Sequence, residues 1–553
     1  MSTVLRVVAV LALSTPAIVR AQLGSAIADS IERVLATGSI PGASMHDLMV
    51  YRPSLARMYA ASTGQPLWTA SLTLTRQATQ LIATLDEAGT RGLDPRDYDG
   101  PVLRRLGASL SQGTGDSLGD VARFDVWLSL AAARFVTHLH RGRVDPATLG
   151  FALPRPPERL DLAATLLAMS QGTNVDSVLT SLEPSFARYR ALKDVLARYR
   201  ALAADTAMRP PPTLATSVRP GEEYAGMAEL RRLLSALGDL PKPSISPASA
   251  DSLRDSLRFA GDAVDAVKSF QRRHGLDPDG VLGRATVAEL RLPLQRRVRQ
   301  IELTLERWRW LHDDQPQRYA VVNIPGFRLY LFDRKVAGEA PVVRMDVIVG
   351  QSYRRRTPVF VGSMRYVTFQ PYWDVPPSIA RNEVVPAIRR DRGYFYREEM
   401  EIVGRSENAL YEPTSTNLAR VASGALRIRQ RPGPRNPLGA VKFIFPNPYN
   451  VYLHGTSARH LFERSRRDFS HGCIRASDPN ALAEFALRHQ PGWDSTRIDG
   501  AMNGARTVTV TLADPIPVYV LYATVVLGDR GDVYFLPDIY RHDATLERAL
   551  AGP

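Results

Sequence analysis

Apolar positions recur at helical spacing from Ala26 to Arg209. In VARFDVWLSLAAARFVTHLH, residues Phe124, Trp127, Leu128, Ala131, Phe135 and Leu139 fall three and four apart, which predicts a helix with one buried face. RGLDPRDYDG and RGRVDP break the pattern with the Gly, Pro and Asp that turns favour, so residues 26–209 read as a helical scaffold domain. MRPPPTLATSVRPGEEY has no period and is rich in Pro, the texture of a linker, placed at 210–222. Helical spacing resumes over 223–292. There LRRLLSALGDL predicts one helix, and AVDAVKSFQRRHGLDPDGVLGRATVAEL predicts a second carrying Val264, Val267 and Phe270, a DPDG turn, and a third after Gly283. LQRRVRQIELTLERWRWLH predicts a helical bridge over 293–316.

At residue 317 the period changes to two. RYAVVNI, FRLYLF, VVRMDVIVG, VKFIF, VYLHG, TVTVTL, VYVLYATVVL and VYFLPDIY predict strands, which makes 317–553 a β-rich domain. Between PYWDVPPSIA and RQRPGPRNPLG the rhythm stops for about 60 residues of charged helical text, RNEVVPAIRRDRGYFYREEM among them. An insertion of that length in a compact domain is expected to be a lid or binding element, bounded at about 376–438. The expected class is α+β and multidomain.

The first 21 residues change the picture of where the chain works. Arg6, an apolar run from Val7 to Leu13 and Val19-Arg20-Ala21 read as a secretory signal cut after Ala21, with an uncleaved inner-membrane anchor as the alternative. The run falls short of the roughly 20 apolar residues a spanning helix needs. Export to the periplasm puts the chain in an oxidising compartment, where its one cysteine, Cys473, has no intramolecular partner and needs a reason to persist. The formal net charge is +14, spread rather than clustered. It suits an acidic polymer such as the cell wall, and no compact basic motif speaks for nucleic acid.

Chemistry concentrates in LHGTSARHLFERSRRDFSHGCIR, Leu453 to Arg475. A thiol is mostly protonated at neutral pH and needs a base to become a nucleophile, with a third group to orient that base. His454 and His471 are the two candidates. A zinc site from His454, His460, His471 and Cys473 is the competing reading; against it, His460 lies in polar loop text and no HExxH stands nearby. Asp277 and Asp279 lack the remaining ligands and closing Glu of a calcium loop, and His138 and His140 are expected to be structural.

A histidine, then SHGC with a following Arg, together with YWDVPPSIA and RQRPGPRNPLGAVKFIFPNPYNVYLHGT, resembles the L,D-transpeptidases, the YkuD-type cysteine enzymes of the bacterial cell wall. The resemblance extends to the large periplasmic subgroup with helical scaffold, peptidoglycan-binding domain and capping insertion. AVKSFQRRHGLDPDGVLGRAT is similar to the peptidoglycan-binding repeat.

The resemblance implies that Cys473 attacks the L-centre to D-Ala bond of a tetrapeptide stem, releases D-Ala and passes the acyl group to a second stem amine as a 3→3 cross-link. It implies His454 as base, oriented by the carbonyl of Gly455, with His471 lining the acyl pocket or placing the oxyanion. Loss of His454 is then expected to move the alkylation profile of Cys473 toward that of an ordinary thiol. Backbone N–H groups near Gly472 and Cys473 are expected to serve the oxyanion, with Ser470 beside them. Arg475 is expected to hold a substrate carboxylate, and Tyr452 and Trp373 to wall the pocket. Relatives read HDTP where this chain has HGTS, which leaves the loop at Ser457 open. Peptidoglycan stems are the expected donor and acceptor, other wall-synthesis enzymes further partners, and carbapenems acylating inhibitors; no metal or cofactor is required. L,D-carboxypeptidase action, attachment of a protein to the wall, and a non-catalytic wall-binding scaffold are the alternatives.

Overall fold

The computed structural model describes residues 16–551 except 71–72, 113–117, 155–159, 173, 241–256, 312–315, 353–354, 405 and 407–408. The apolar run of the expected signal lies outside these residues. A helix, Pro16–Thr37, spans the Ala21 position at which cleavage is expected.

Residues Phe124, Trp127, Leu128, Ala131, Phe135 and Leu139 are buried as their spacing predicts. The helix that carries them, Leu118–Arg141, nevertheless differs from the one-faced expectation. Val126, Leu130, Ala132, Ala133 and Val136 are buried too, because the helix runs through the middle of the bundle. Its Asp125 is tolerated there only by accepting from Leu67 N, Trp68 N and the Tyr59 hydroxyl. That bundle also holds a short hairpin, β1 (Thr69–Ala70) and β2 (Thr73–Leu74).

In the next unit Val264, Val267 and Phe270 are inward, and Asp279 accepts from Gln271 Nε2 and Val281 N, so the DPDG segment is a turn. The preceding segment is more than a free linker: Val218 pairs with Leu282 across an isolated bridge. The helix Leu294–Arg309 ties the cores together. It gives Ile301 and Leu305 to the core around Phe270, and Leu303 to that of the β domain, with Trp310 just beyond its end.

The β domain begins with β3 (Arg318–Asn323), β4 (Arg328–Asp333), β5 (Pro341–Gly350) and β6 (Phe360–Phe369). The insertion then supplies β7 (Trp373–Asp374), β8 (Met400–Val403), β9 (Leu410–Tyr411) and β10 (Arg427–Gln430). The chain returns through β11 (Val441–Ile444), β12 (Leu453–His454), β13 (Asp468–Ser470), β14 (Ile474–Ala476) and β15 (Val508–Leu521). Among the described residues, nine strands form one sheet in the order β13-β5-β14-β12-β11-β6-β15-β3-β4, and β4 also pairs with β5. That extra pairing closes β5 to β4 into a barrel, with β13 added outside the ring on β5.

Two expectations change. The insertion is a mixed unit: besides helices it has its own sheet, β7-β10-β8-β9, packed on a core of Ile379, Val384, Ile388, Ile402, Leu418 and Ile428. The final strands, β16 (Val525–Leu527) and β17 (Val533–Phe535), leave the barrel altogether. Their Val525, Val533 and Phe535 join the core around Phe270. Period-two text identifies a strand but says nothing of its partner, which a non-local pairing decides.

Candidate active site

Strand register builds the site. β12 pairs in parallel with β14, Leu453 opposite Ile474 and His454 opposite Arg475, while β11 pairs antiparallel on the other side, Phe443 opposite Leu453 and Lys442 opposite His454. Because side chains alternate, Leu453, Ile474 and Phe443 fill the barrel interior and are fully buried. Lys442, His454 and Arg475 therefore share the outer face. Two residues back on each strand path, Tyr452 and Cys473 join them.

A bend sets Cys473 apart from His471. Gly472 has φ +115°, a conformation that L side chains rarely adopt, so the i, i+2 relation that an extended strand would give these residues is broken. Four hydrogen bonds hold the bend. Ser470 Oγ accepts from Gly472 N at 3.1 Å and donates to the Cys473 carbonyl, Thr357 Oγ1 donates to the Gly472 carbonyl at 2.8 Å, and Gly350 N donates to Thr357 Oγ1 at 2.9 Å. Behind them the Tyr540 hydroxyl accepts from Thr357 N and donates to Gly350 O.

These bonds correct several expectations. Ser470 is 2% exposed and braces the turn, so it is not a surface that substrate touches. The Gly472 N–H is committed to Ser470, which leaves the Cys473 N–H, without a partner among the described residues, as the donor available near the sulfur. His471 Nε2 lies 3.0 Å from Glu383 Oε1 in the insertion. Trp373 sits on β7 and packs against the core of the insertion. Tyr452 does lie beside the sulfur. His460 is exposed on the turn Arg459–Glu463, and among the described residues no three His, Cys, Asp or Glu side chains are grouped to hold a metal ion.

The electrostatics describe a neutral resting pair. Burial pushes the Cys473 thiol above its ordinary value, only partly offset by the backbone N–H and hydroxyl of Tyr452 and by the charges of Lys442 and Arg475. Besides Tyr452, Sγ makes a long contact of 3.7 Å to Asn450 O. Burial, the Arg475 guanidinium and, less strongly, Lys442 hold His454 down at about 3. The carbonyls of Gly455 and Leu438 favour its protonated form, yet the hydrogen bond expected from Gly455 is not closed: His454 Nδ1 is buried with no partner among the described residues. Gly455 is instead fixed through its own N–H to Val441 O, with Gly439 at φ +63° packed against it.

Lys442 was not legible as a site residue. Its Nζ lies 3.9 Å from the centroid of the Tyr452 ring, a cation–π contact beside the sulfur, and the lysine makes no ion pair among the described residues. Arg475 likewise has no carboxylate partner among them, and its Nε is buried and unsatisfied. Two partly buried cations next to a thiol, without ion-pair partners among the described residues, form a place for an anion. The usable signal lay in VKFIF itself: a lysine on the outward phase of an otherwise apolar strand, opposite VYLHG.

Three family models match the chain: "Scaffold domain" over residues 53–196, "Putative peptidoglycan binding domain" over 223–290 and "L,D-transpeptidase catalytic domain" over 317–516. A protein of Haemophilus influenzae named "Putative L,D-transpeptidase" is 30% identical over 230 residues, which cover 41% of this chain and 45% of that relative. The chain thus matches less than half the length of this relative.

Proposed function

Since this chain carries an L,D-transpeptidase catalytic domain behind a scaffold domain and a peptidoglycan-binding domain, we propose that it forms 3→3 cross-links between peptidoglycan stems through a Cys473 thioester. The observation that supports this reading is the register of β12 against β14, with His454 opposite Arg475 two residues after Cys473, beside a Cys473 N–H and two cations that have no partner among the described residues.

The thiol and imidazole begin neutral, so the proton leaves sulfur as the bond to carbon forms. Sγ attacks the carbonyl between the L-centre of the third residue and D-Ala, and His454 takes the thiol proton. The oxyanion draws on the Cys473 N–H. His454 then gives that proton to the departing D-Ala nitrogen, the C–N bond breaks, and a thioester remains. A second stem's amine displaces sulfur, and the proton it loses restores the thiol. The chain works in the periplasm, exported by its N-terminal segment; the +14 charge and the peptidoglycan-binding unit bring it to the polymer.

Incubation of the full chain with disaccharide-tetrapeptide, read by mass, tests the reading. A dimer that has lost one D-Ala is expected; tripeptide monomer as the sole product would mean a carboxypeptidase, and unchanged substrate would sink the proposal.

The cation pair makes a further prediction. Arg475 and Lys442 face the D-Ala carboxylate, so Lys442→Met is expected to raise the donor KM about 10-fold, the low end of a charge-assisted hydrogen bond. A donor whose C-terminal carboxylate is amidated should bind both proteins equally. If the variant loses affinity for the amide as well, the lysine acts on the fold of the pocket and not on the carboxylate.

A further inference from the structure

One carboxylate joins three segments of the site. Glu383 Oε1 is 3.0 Å from His471 Nε2, on the loop that carries the nucleophile, and 2.8 Å from Arg355 Nη1, on the loop that leaves β5. The carbonyl of Arg355 borders the hydrogen-bonded bend, 3.8 Å from where a Cβ on Gly472 would stand. Glu383 itself belongs to the insertion.

The local sequence explains how it comes to be there. Pro377–Ile379 and Val385–Arg390 are α-helical, and the five residues between them, Ala380–Val384, form a π turn. Pro386 lies two residues past that turn. Its missing N–H leaves a carbonyl of the preceding turn without its usual donor, and a proline ring crowds the same carbonyl, the conditions under which a helix widens. Single π turns of this kind concentrate at functional sites.

We propose that Glu383 is a positioning residue that latches the insertion, as a cap, onto the nucleophile loop, and that through His471 it couples cap closure to the choice between amine and water at the thioester. The latch itself stands on geometry, while the coupling rests on the acyl-transfer reading. The cap has its own apolar core, so a single contact at its first helical turn can set its position. The three side chains are partly exposed, at 45% for Glu383, 33% for His471 and 27% for Arg355. Exposed pairs of this kind are weak, which suits a contact that opens and closes in each cycle. While it is closed, the carboxylate accepts from His471 Nε2–H and holds that ring against the cap. A closed cap excludes water and favours the amine.

Glu383→Ala and Glu383→Gln in the full chain test this; Ala suits a helical position and Gln retains an acceptor. Hydrogen exchange over residues 377–390 is expected to be about 10-fold faster in Glu383→Ala, and less so in Glu383→Gln, with the barrel unchanged. With a preformed thioester and a fixed acceptor amine, the ratio of hydrolysis to transfer is expected to rise several-fold in Glu383→Ala. In a His471→Ala background, Glu383→Ala should add less than half of its single effect on that ratio. Unchanged cap exchange overturns the latch; independent, multiplicative effects overturn the route through His471. Failure of the wild-type chain to form any thioester would defeat the acyl-transfer reading, and hydrogen exchange would still decide the latch.

Discussion

Cys473→Ala is expected to abolish transfer completely while leaving the fold in place. The sulfur contributes little to the structure around it, since its contacts are weak ones to the backbone N–H and hydroxyl of Tyr452 and a 3.7 Å approach to Asn450 O. The turn is held by Ser470, Thr357 and the backbone of Gly350 and Gly472, none of which the substitution removes. Removing a nucleophile that forms the covalent intermediate leaves binding and the oxyanion donor with no bond to make. Intact mass after incubation with a carbapenem gives a second, substrate-free readout. The wild type should gain one adduct and the variant none. Cross-linking by the variant, or an adduct on it, would mean that another group attacks.

His454→Ala is expected to slow acylation by a factor of about 10² to 10⁴, the usual worth of a positioned general base. The resting electrostatics change what should accompany that loss. An ion pair at rest would need a histidine that holds its proton more tightly than the thiol does. Here burial does the opposite to both groups, lowering His454 to about 3 and raising Cys473 above its ordinary value. Alkylation of Cys473 by a small neutral reagent should therefore rise by about one decade per pH unit through the neutral range, without a plateau, in wild type and variant alike. This departs from the expectation that loss of His454 moves the profile toward an ordinary thiol, because the resting thiol is already no more acidic than one. A wild-type plateau between pH 6 and 7 that His454→Ala removes would establish a resting thiolate–imidazolium pair and overturn the neutral one.

The residues proposed to carry the chemistry stood out in the chain because they are rare or out of phase. Cys473 is the one thiol, His454 ends an apolar strand run, and Arg475 follows two residues after the thiol. The helical texture before residue 317 and the alternation after it were equally local, since the periods of 3.6 and 2 are properties of a segment and its burial. Leu118–Arg141 marks the limit of that kind of signal. A stripe three and four apart says that one face is buried, and only packing against neighbouring helices buries the others.

What the sequence determined by itself was the class of the fold, the order of its units and the identity of the thiol and its two possible bases. Tertiary structure set the two histidines apart: His471 Nε2 lies against Glu383 in the insertion, beside the bend at Gly472, while a parallel pairing puts His454 opposite Arg475. It likewise placed Lys442 beside the sulfur, moved Ser470 from the pocket to the brace behind it, and sent the last strands to another core. The physical reason is common to all of these. Each depends on which strand lies beside which and on what burial does to a charge, and neither is a property of any one stretch of the chain.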